Sequence, residues 1–325
     1  MADNDTLIFA FEIGESDVRE IDWNEVRSSS RKTPKSRRWL HFSRFSEEAR
    51  AWLVESGTLP ILVCDVLFQE ETRPRAFRYD NAMVLNLRGV NLNEGASPQD
   101  LISLRIYADQ DLLVTTRAHR VFAIEDLKKL VESGTAPGSN WSKMAFLSDR
   151  LTEQLEPVTQ RLEEKVDDLE ADMLDQNTPP PKLAVADFRR AVLSLRRYIS
   201  PQREAISGLL REGGNLLSAN DKLELRETQD TIYRLSEQLD MVRERALVLQ
   251  EQIAELRAES MNQRLFVLAI ISAVFLPLGF VTGLFGVNVG GMPGVDSPWA
   301  FALLCAAMVV LVAILYAFFK RMKWL

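Results

Sequence analysis

The sequence predicts an α+β fold in which an α/β N-terminal cytoplasmic domain is followed by a long α-helical stalk and two C-terminal transmembrane helices. Three observations predict it. Two uncharged apolar runs, Leu265 to Phe285 and Ala300 to Phe319, each have the roughly 20 residues needed to cross ~30 Å of hydrocarbon at ~1.5 Å per residue. Upstream of them, apolar residues recur at helical steps from Leu225 to Leu256, and before residue 140 the apolar runs are short and alternating. The chain divides accordingly into a cytoplasmic α/β domain (1–140), a helical region with a long stalk helix (141–264) and a membrane domain (265–325). Within the last, spans at 265–285 and 300–319 are joined by an outer loop, 286–299, and followed by a basic tail, 320–325.

In the first domain, strand patterns occupy Thr6 to Ile13, Arg38 to Phe42, Ile61 to Val66, Ala82 to Leu87, Leu101 to Tyr107 and Leu112 to Thr116. Helical patterns occupy Ser46 to Glu55 and Ile124 to Ser133. Asp109-Gln110-Asp111 reads as a hairpin turn, and the run Gly134 to Ser139 reads as the domain boundary.

Beyond it, Met144, Leu147, Leu151, Leu155, Val158, Leu162, Val166, Leu169 and Met173 fall at steps of three or four, as in one helix. Its far end carries Glu163, Glu164, Asp167, Asp168, Glu170, Asp172 and Asp175: a solvated face, or a carboxylate surface that gathers divalent cations. After Pro179-Pro180-Pro181 a second helix runs from Leu183 to Ile199. There Ser200-Pro201 suits a cap with proline in a new first turn, and Gly213-Gly214 ends that piece. Asp221-x-x-Glu224 resembles a capping box opening the stalk. Leu225, Ile232, Leu235, Leu239, Val242, Ala246, Leu249, Ile253 and Leu256 then keep one seam, with a single seven-residue step. No breaker stands between Asp221 and Pro277, so stalk and first span read as one helix, about 97 Å long at ~1.5 Å per residue. A stalk of that length needs partners along it, from the preceding helices or from other subunits.

Arg257 and Arg264 precede the first span, Lys320, Arg321 and Lys323 follow the second, and the loop between has no Lys or Arg, which places both termini on the cytoplasmic side. The acidic start, Met1 to Asp5, lacks the features of a secretory signal. A formal charge of -7 argues against nucleic acid as a partner and favours cations. Cys64 and Cys305 are far apart and His41 and His119 are the only imidazoles, so a zinc-cluster pattern is absent. There is no phosphate-binding Walker loop and no hydrolase motif, which argues against an enzyme and against ATP-driven transport. No cofactor is expected.

Within the first span, Leu265, Leu268, Ser272, Leu276, Gly279 and Gly283 form one stripe at helical spacing. Small residues on a face serve helix packing, and the same stripe suits a narrow aliphatic pore that gates by dewetting. Both readings stand on the residues alone. Two spans cannot enclose a path, so a pore requires oligomerisation.

At the outer end of that span stands Gly286-Val287-Asn288, followed by Gly290-Gly291-Met292-Pro293-Gly294 and preceded by Leu276-Pro277 and Thr282-Gly283-Leu284-Phe285. With Leu195-Arg196-Arg197-Tyr198-Ile199-Ser200-Pro201-Gln202-Arg203-Glu204, these resemble the CorA superfamily of divalent-cation transport proteins, in its ZntB zinc-transporter branch. The resemblance implies a homopentameric funnel in a bacterial inner membrane, with the first span lining a central pore. It makes Gly286, Val287 and Asn288 the entrance filter and puts Leu265, Leu268, Leu276 and Gly279 at pore-facing positions. Phe285 stands where magnesium members commonly have tyrosine, and their acidic loop residue has no equivalent unless Asp296 serves.

A ring of Asn288 amides offers neutral oxygen dipoles, which do not replace the inner hydration shell of a divalent ion. The ion therefore arrives hydrated and is held in its outer sphere, the Asn288 oxygens and Gly286 carbonyls accepting hydrogen bonds from its waters. The alternative role for Asn288 is to cap the span. Outer-sphere recognition predicts broad transport, with Zn accompanied by Cd, Ni, Co or Mg, and zinc itself rests on the resemblance. The spans have no Asp, Glu, His, Lys or Arg for a proton relay. An inside-negative potential of about 100 mV favours inward movement of a divalent ion by about 4.6 kcal/mol. The branch includes proteins described as exporters and as proton-coupled importers, so efflux stays open beside uptake. A membrane-anchored coiled-coil scaffold is the alternative from another class.

Overall fold

The structure is a computed structural model that describes residues 6–14, 17–28, 36–70, 73–97, 100–174, 181–287, 294 and 297–322. Two compact units divide the chain, Met1–Gln250 and Glu251–Leu325.

The first unit is built on a mixed seven-stranded sheet in the order β2-β1-β3-β7-β6-β5-β4. The strands are β1 (Leu7–Ile13), β2 (Val18–Glu20), β3 (Arg37–Ser43), β4 (Arg75–Tyr79), β5 (Ala82–Gly89), β6 (Ile102–Ala108) and β7 (Leu112–Arg117). Among the described strands only β3 and β7 pair in parallel, with Arg38 opposite Leu112 and Ser43 opposite Arg117; the other described pairings are antiparallel. Five of the six expected strands lie where alternation placed them. β6 and β7 are joined by the expected turn, in which Asp109 Oδ1 accepts from the backbone N–H of Asp111 (2.9 Å) and of Leu112 (2.7 Å), an Asx turn.

Ile61 to Val66 is not a strand. It belongs to helix α3 (Ile61–Phe68), behind α1 (Trp23–Ser28) and α2 (Glu47–Glu55). Within this short apolar run Val63, Cys64, Val66, Leu67 and Phe68 are buried while Ile61 and Leu62 are exposed. That is a helical distribution, and an apolar octet broken by a single charge does not reveal its period. Asp65, the one charged residue, faces out and meets Arg50 of α2 at 2.6 Å. The sheet caps the helix: Thr116 Oγ1 donates to the Leu67 carbonyl (2.6 Å) and Arg105 Nη2 to that of Gln69 (2.8 Å). The edge strands β2 and β4 went unforeseen because Val-Arg-Glu is too short and Arg-Ala-Phe-Arg-Tyr too charged to show alternation.

The sheet core joins Leu40, Phe42, Val84, Tyr107 and Val114 to Leu53, Val63 and Leu67 of the helices. On β3, Trp39 Nε1 donates to Thr115 Oγ1 (2.9 Å), and the same hydroxyl meets His41 Nδ1 at 2.7 Å. His41 is fully buried, its ring stacked on Phe9 at 4.8 Å. Burial, then the charges of Arg117 and Lys128, hold its pKa well below the usual imidazole value. The folded chain therefore binds fewer protons than the unfolded chain, so this contribution is present above about pH 6.5 and is lost as pH falls, by up to about 1.4 kcal/mol per pH unit. We expect the thermal midpoint of the detergent-solubilised protein to fall more between pH 7 and pH 5 than that of His41→Gln. Parallel pH profiles would contradict this assignment.

Four described helices lie between the sheet and the long α8 (Ala219–Gly286): α4 (Phe122–Glu132), α5 (Asn140–Glu153), α6 (Glu156–Leu174) and α7 (Lys182–Gly213); α9 (Ala300–Arg321) comes last. The seam expected as one helix is divided between α5 and α6 at Gln154–Leu155, where Pro157 suits a first helical turn. Leu147, Leu151, Leu155, Val158, Leu162, Val166 and Leu169 stay buried across the break. α5 comes so close to β5 that a Cβ on Gly89 would lie 2.5 Å from Leu151 Cδ2.

Helix α7 does not stop at Ser200; it continues through Pro201 to Gly213. Val192, Leu195, Ile199, Gln202, Ile206 and Leu209 are all buried at steps of three and four, so packing on both sides of the proline outweighs one lost backbone hydrogen bond. The capping box of α8 lies three residues earlier than expected. Ser218 Oγ accepts from the Asp221 N–H (3.1 Å), and Asp221 Oδ2 accepts from the Ser218 N–H (2.9 Å). The stalk seam is buried from Leu225 to Ile253, with Leu256 exposed. Its seven-residue step is filled by buried Thr228, which donates to Asp149 Oδ1 at 2.8 Å. Arg245 of α8 binds Glu170 (2.8 and 2.6 Å) and Asp167 (2.5 Å), and its hydrogen bonds lower the Glu170 pKa. This part of the acidic face is thus paired with a guanidinium, and no His, Cys, Asp or Glu group able to hold a metal occurs among the described residues.

Candidate ion path in the membrane unit

Helix α8 runs without interruption through Pro277 to Gly286, and α9 carries Lys320 and Arg321 in its last turn. Both are long and apolar enough to cross a membrane. Between Arg264 and Lys320 the sequence has one charged side chain, Asp296; it lies outside the described residues.

The coverage of α8 in the second unit has a direction. Ile270, Ala273, Val274, Pro277, Leu278 and Val281 are half-buried and follow one another at steps of one and three. On α9 the covered positions are Ala300, Leu304, Met308, Leu311, Leu315 and Phe319, a second stripe at steps of three and four. At ~100° per residue, Leu265, Leu268, Ser272, Leu276, Gly279 and Gly283 are centred on roughly the opposite side of α8 from its covered stripe. All six are exposed. Leu276 is 74% exposed, and a Cβ on Gly279 or Gly283 would meet nothing within 4 Å. Ser272 Oγ donates to the Leu268 carbonyl at 2.9 Å, which satisfies the one hydroxyl on the stripe.

At the end of α8, Gly286 likewise has open space around its missing Cβ, and Val287 is exposed. Asn288 lies outside the described residues. Chemically, this described stretch offers aliphatic side chains, glycine backbone and no charge, a face with no group to replace the water around an ion.

The unused groups lie elsewhere. Cys64 is buried and burial pushes its thiol up to about 11, leaving it an unreactive packing group. Cys305 is exposed on α9.

A family model described as CorA-like Mg2+ transporter protein matches residues 34–321. The chain belongs to the CorA family. Its similarity extends to the ZntB-like branch of that family. Zinc transport protein ZntB of Yersinia pseudotuberculosis is 33% identical over 319 residues, covering 98% of this chain and 96% of that protein. Divalent cation transporter CmaX of Pseudomonas aeruginosa is 35% identical over 294 residues, covering 90% and 89%. The structure of the full-length CmaX protein superposes with a TM-score of 0.82 at 34% identity and covers 99% of both chains. The CorA fold thus accounts for the α/β unit, the long helix and the final apolar helix, and the CorA relatives are transporters rather than enzymes.

Proposed function

We propose that this CorA-family protein takes up zinc through a central pore formed by five copies of the chain, with Gly286, Val287 and Asn288 as the outer filter. Divalent cation transport across a membrane follows from its place among ZntB- and CmaX-like members. Zinc, the inward direction, the pentamer and the filter are the finer parts of the reading. The observation that carries it is the exposed stripe of Leu265, Leu268, Ser272, Leu276, Gly279 and Gly283, placed opposite the covered side of α8. In this reading residues 265–325 form the membrane domain, 141–264 the helical region and stalk, and 1–140 the cytoplasmic α/β domain. Both termini face the cytoplasm of a bacterial inner membrane, because the basic residues flank the spans on the side away from the loop.

The filter works on hydrated ions. Amide and carbonyl oxygens accept hydrogen bonds from the inner water shell, with Asn288 the outer-sphere metal contact, and the leucine ring below sets the wetting barrier. Selectivity follows from charge and hydrated size, so Cd, Ni, Co and Mg compete with Zn. The driving force is the membrane potential. The described spans hold no carboxylate or imidazole, and a proton-coupled variant of the mechanism would have to run through Asp296, cytoplasmic carboxylates or water. Zinc uptake into proteoliposomes, measured with each competitor and with and without a pH gradient, tests the reading. Competition by Cd, Ni and Co and indifference to the pH gradient are expected. Zinc-only transport would overturn outer-sphere recognition, and a requirement for the pH gradient would replace the passive path with coupled transport.

A further inference from the structure

In the first unit a cavity of about 350 Å³ opens between the sheet and α7, lined among others by Arg44, Arg88, Ser103 and Tyr198. Arg88 and Ser103 are cross-strand partners on β5 and β6. The Arg88 guanidinium lies 4.6 Å from the centre of the Tyr198 ring, and its Nη1 donates to the Leu101 carbonyl at 3.1 Å. Arg44 stacks on Phe45 at 4.1 Å and forms no ion pair among the described residues. Two residues along β6 from Ser103, on the same face of the sheet, Arg105 is fully buried. Its Nη2 donates to the carbonyls of Gln69 and Glu70 (2.8 and 3.3 Å), the second of which belongs to the cavity wall, while Nε and Nη1 have no hydrogen-bond partner among the described residues. The charges that act on Arg105 are Arg44 and Arg88, both positive; together with burial, the larger cause, they pull its pKa down to about 10.

Two guanidiniums, of Arg44 and Arg88, thus line the cavity, and a third, of Arg105, is buried behind its Glu70 wall. Arginine keeps its charge at pH 7, and a buried charge with open donors and like-charged neighbours is costly unless an anion answers it. Among the described residues, the carboxylates at the cavity, Glu70 and Asp100, are exposed at its rim, where water screens them. The neutral Asn86 amide opposite Arg105 gives its Nδ2 to the Arg73 carbonyl and adds no charge. We infer that this cavity is a binding site for a small multivalent oxyanion, a phosphate-bearing or polycarboxylate metabolite, seated against Arg44 and Arg88 with Arg105 as the buried charge behind it. Planar forks match the oxygens of such groups, and the volume suits a small metabolite.

The test uses the purified full-length protein in detergent, with EDTA and constant salt, titrated calorimetrically with inorganic phosphate, citrate and ATP in separate arms. Saturable binding in at least one arm is expected, and the arm that responds tells a free phosphate from a nucleotide or a polycarboxylate. Arg44→Gln, which alters a half-exposed side chain and leaves the buried Arg105 in place, should weaken that binding at least about tenfold, the loss expected from one charge-assisted contact. A circular-dichroism melt of the variant matching wild type in the absence of ligand accompanies that result. Absence of saturable binding in every arm, or binding unchanged in Arg44→Gln, would overturn the inference.

Discussion

Labelling a cysteine placed at Leu276 with a water-soluble, positively charged thiol reagent should stop divalent-cation flux, while the same reagent on Val274→Cys should leave it unchanged. The two positions are two residues apart on α8 and differ in coverage: Leu276 is 74% exposed on the uncovered stripe, and Val274 belongs to the covered stripe. If the uncovered stripe lines an aqueous path, a bulky cation attached there adds a repulsive charge in low dielectric, where about 4 kcal/mol per charge pair at 4 Å is reached even at an effective dielectric near 20. Flux should therefore fall at least about tenfold. The background must carry Cys305→Ala because Cys305 is exposed, whereas Cys64 is buried and kept in its thiol form. Equal labelling at both positions, or labelling of Leu276→Cys without loss of flux, would return the stripe to helix packing or lipid contact.

Asn288→Ala should lower zinc flux by at least about tenfold while leaving the amount of folded, membrane-inserted protein unchanged. The losses add around a ring. Each amide that gives up a hydrogen bond to the ion's water shell costs about 1 kcal/mol, and several such losses in one filter raise the barrier by several kcal/mol. Asn288→Gln keeps the amide but moves its oxygen outward by one methylene, and should recover part of the flux. A cap for the end of the first span, the other role available to Asn288, predicts a different outcome: lower stability in both variants, with flux per folded protein unchanged.

The membrane half of this fold was legible because its signals are long. A 20-residue apolar run, a loop without Lys or Arg and a stalk seam held over many turns each leave one reading, and α8 does run unbroken through Pro277 to Gly286. Short signals were less secure. Ile61 to Phe68 is apolar on nearly every position, so its helical period is visible only from which residues are buried. At Ser200-Pro201 the local rule pointed to a break, yet the seam on either side of the proline decided for continuity. Thr228 fills the gap in the stalk seam with a buried hydrogen bond to Asp149, a contact that depends on a helix far away in sequence. The arginine cavity was invisible for the same reason, since Arg44 and Arg88 line it from separate strands or their ends, Arg105 lies behind it on a third, and only the sheet assembles them. For the ion path, the stripe was readable by spacing, but that it lies opposite the covered face of α8 required the second span.

The most direct measurement is the initial rate of zinc uptake into proteoliposomes containing the purified full chain, taken as the inside-negative potential is increased at fixed, equal pH on both sides. Uptake that rises with potential, carried by wild type and lost in Asn288→Ala, is the result expected of a potential-driven path for a hydrated divalent ion. Uptake independent of potential, or the same in wild type and Asn288→Ala, would contradict it.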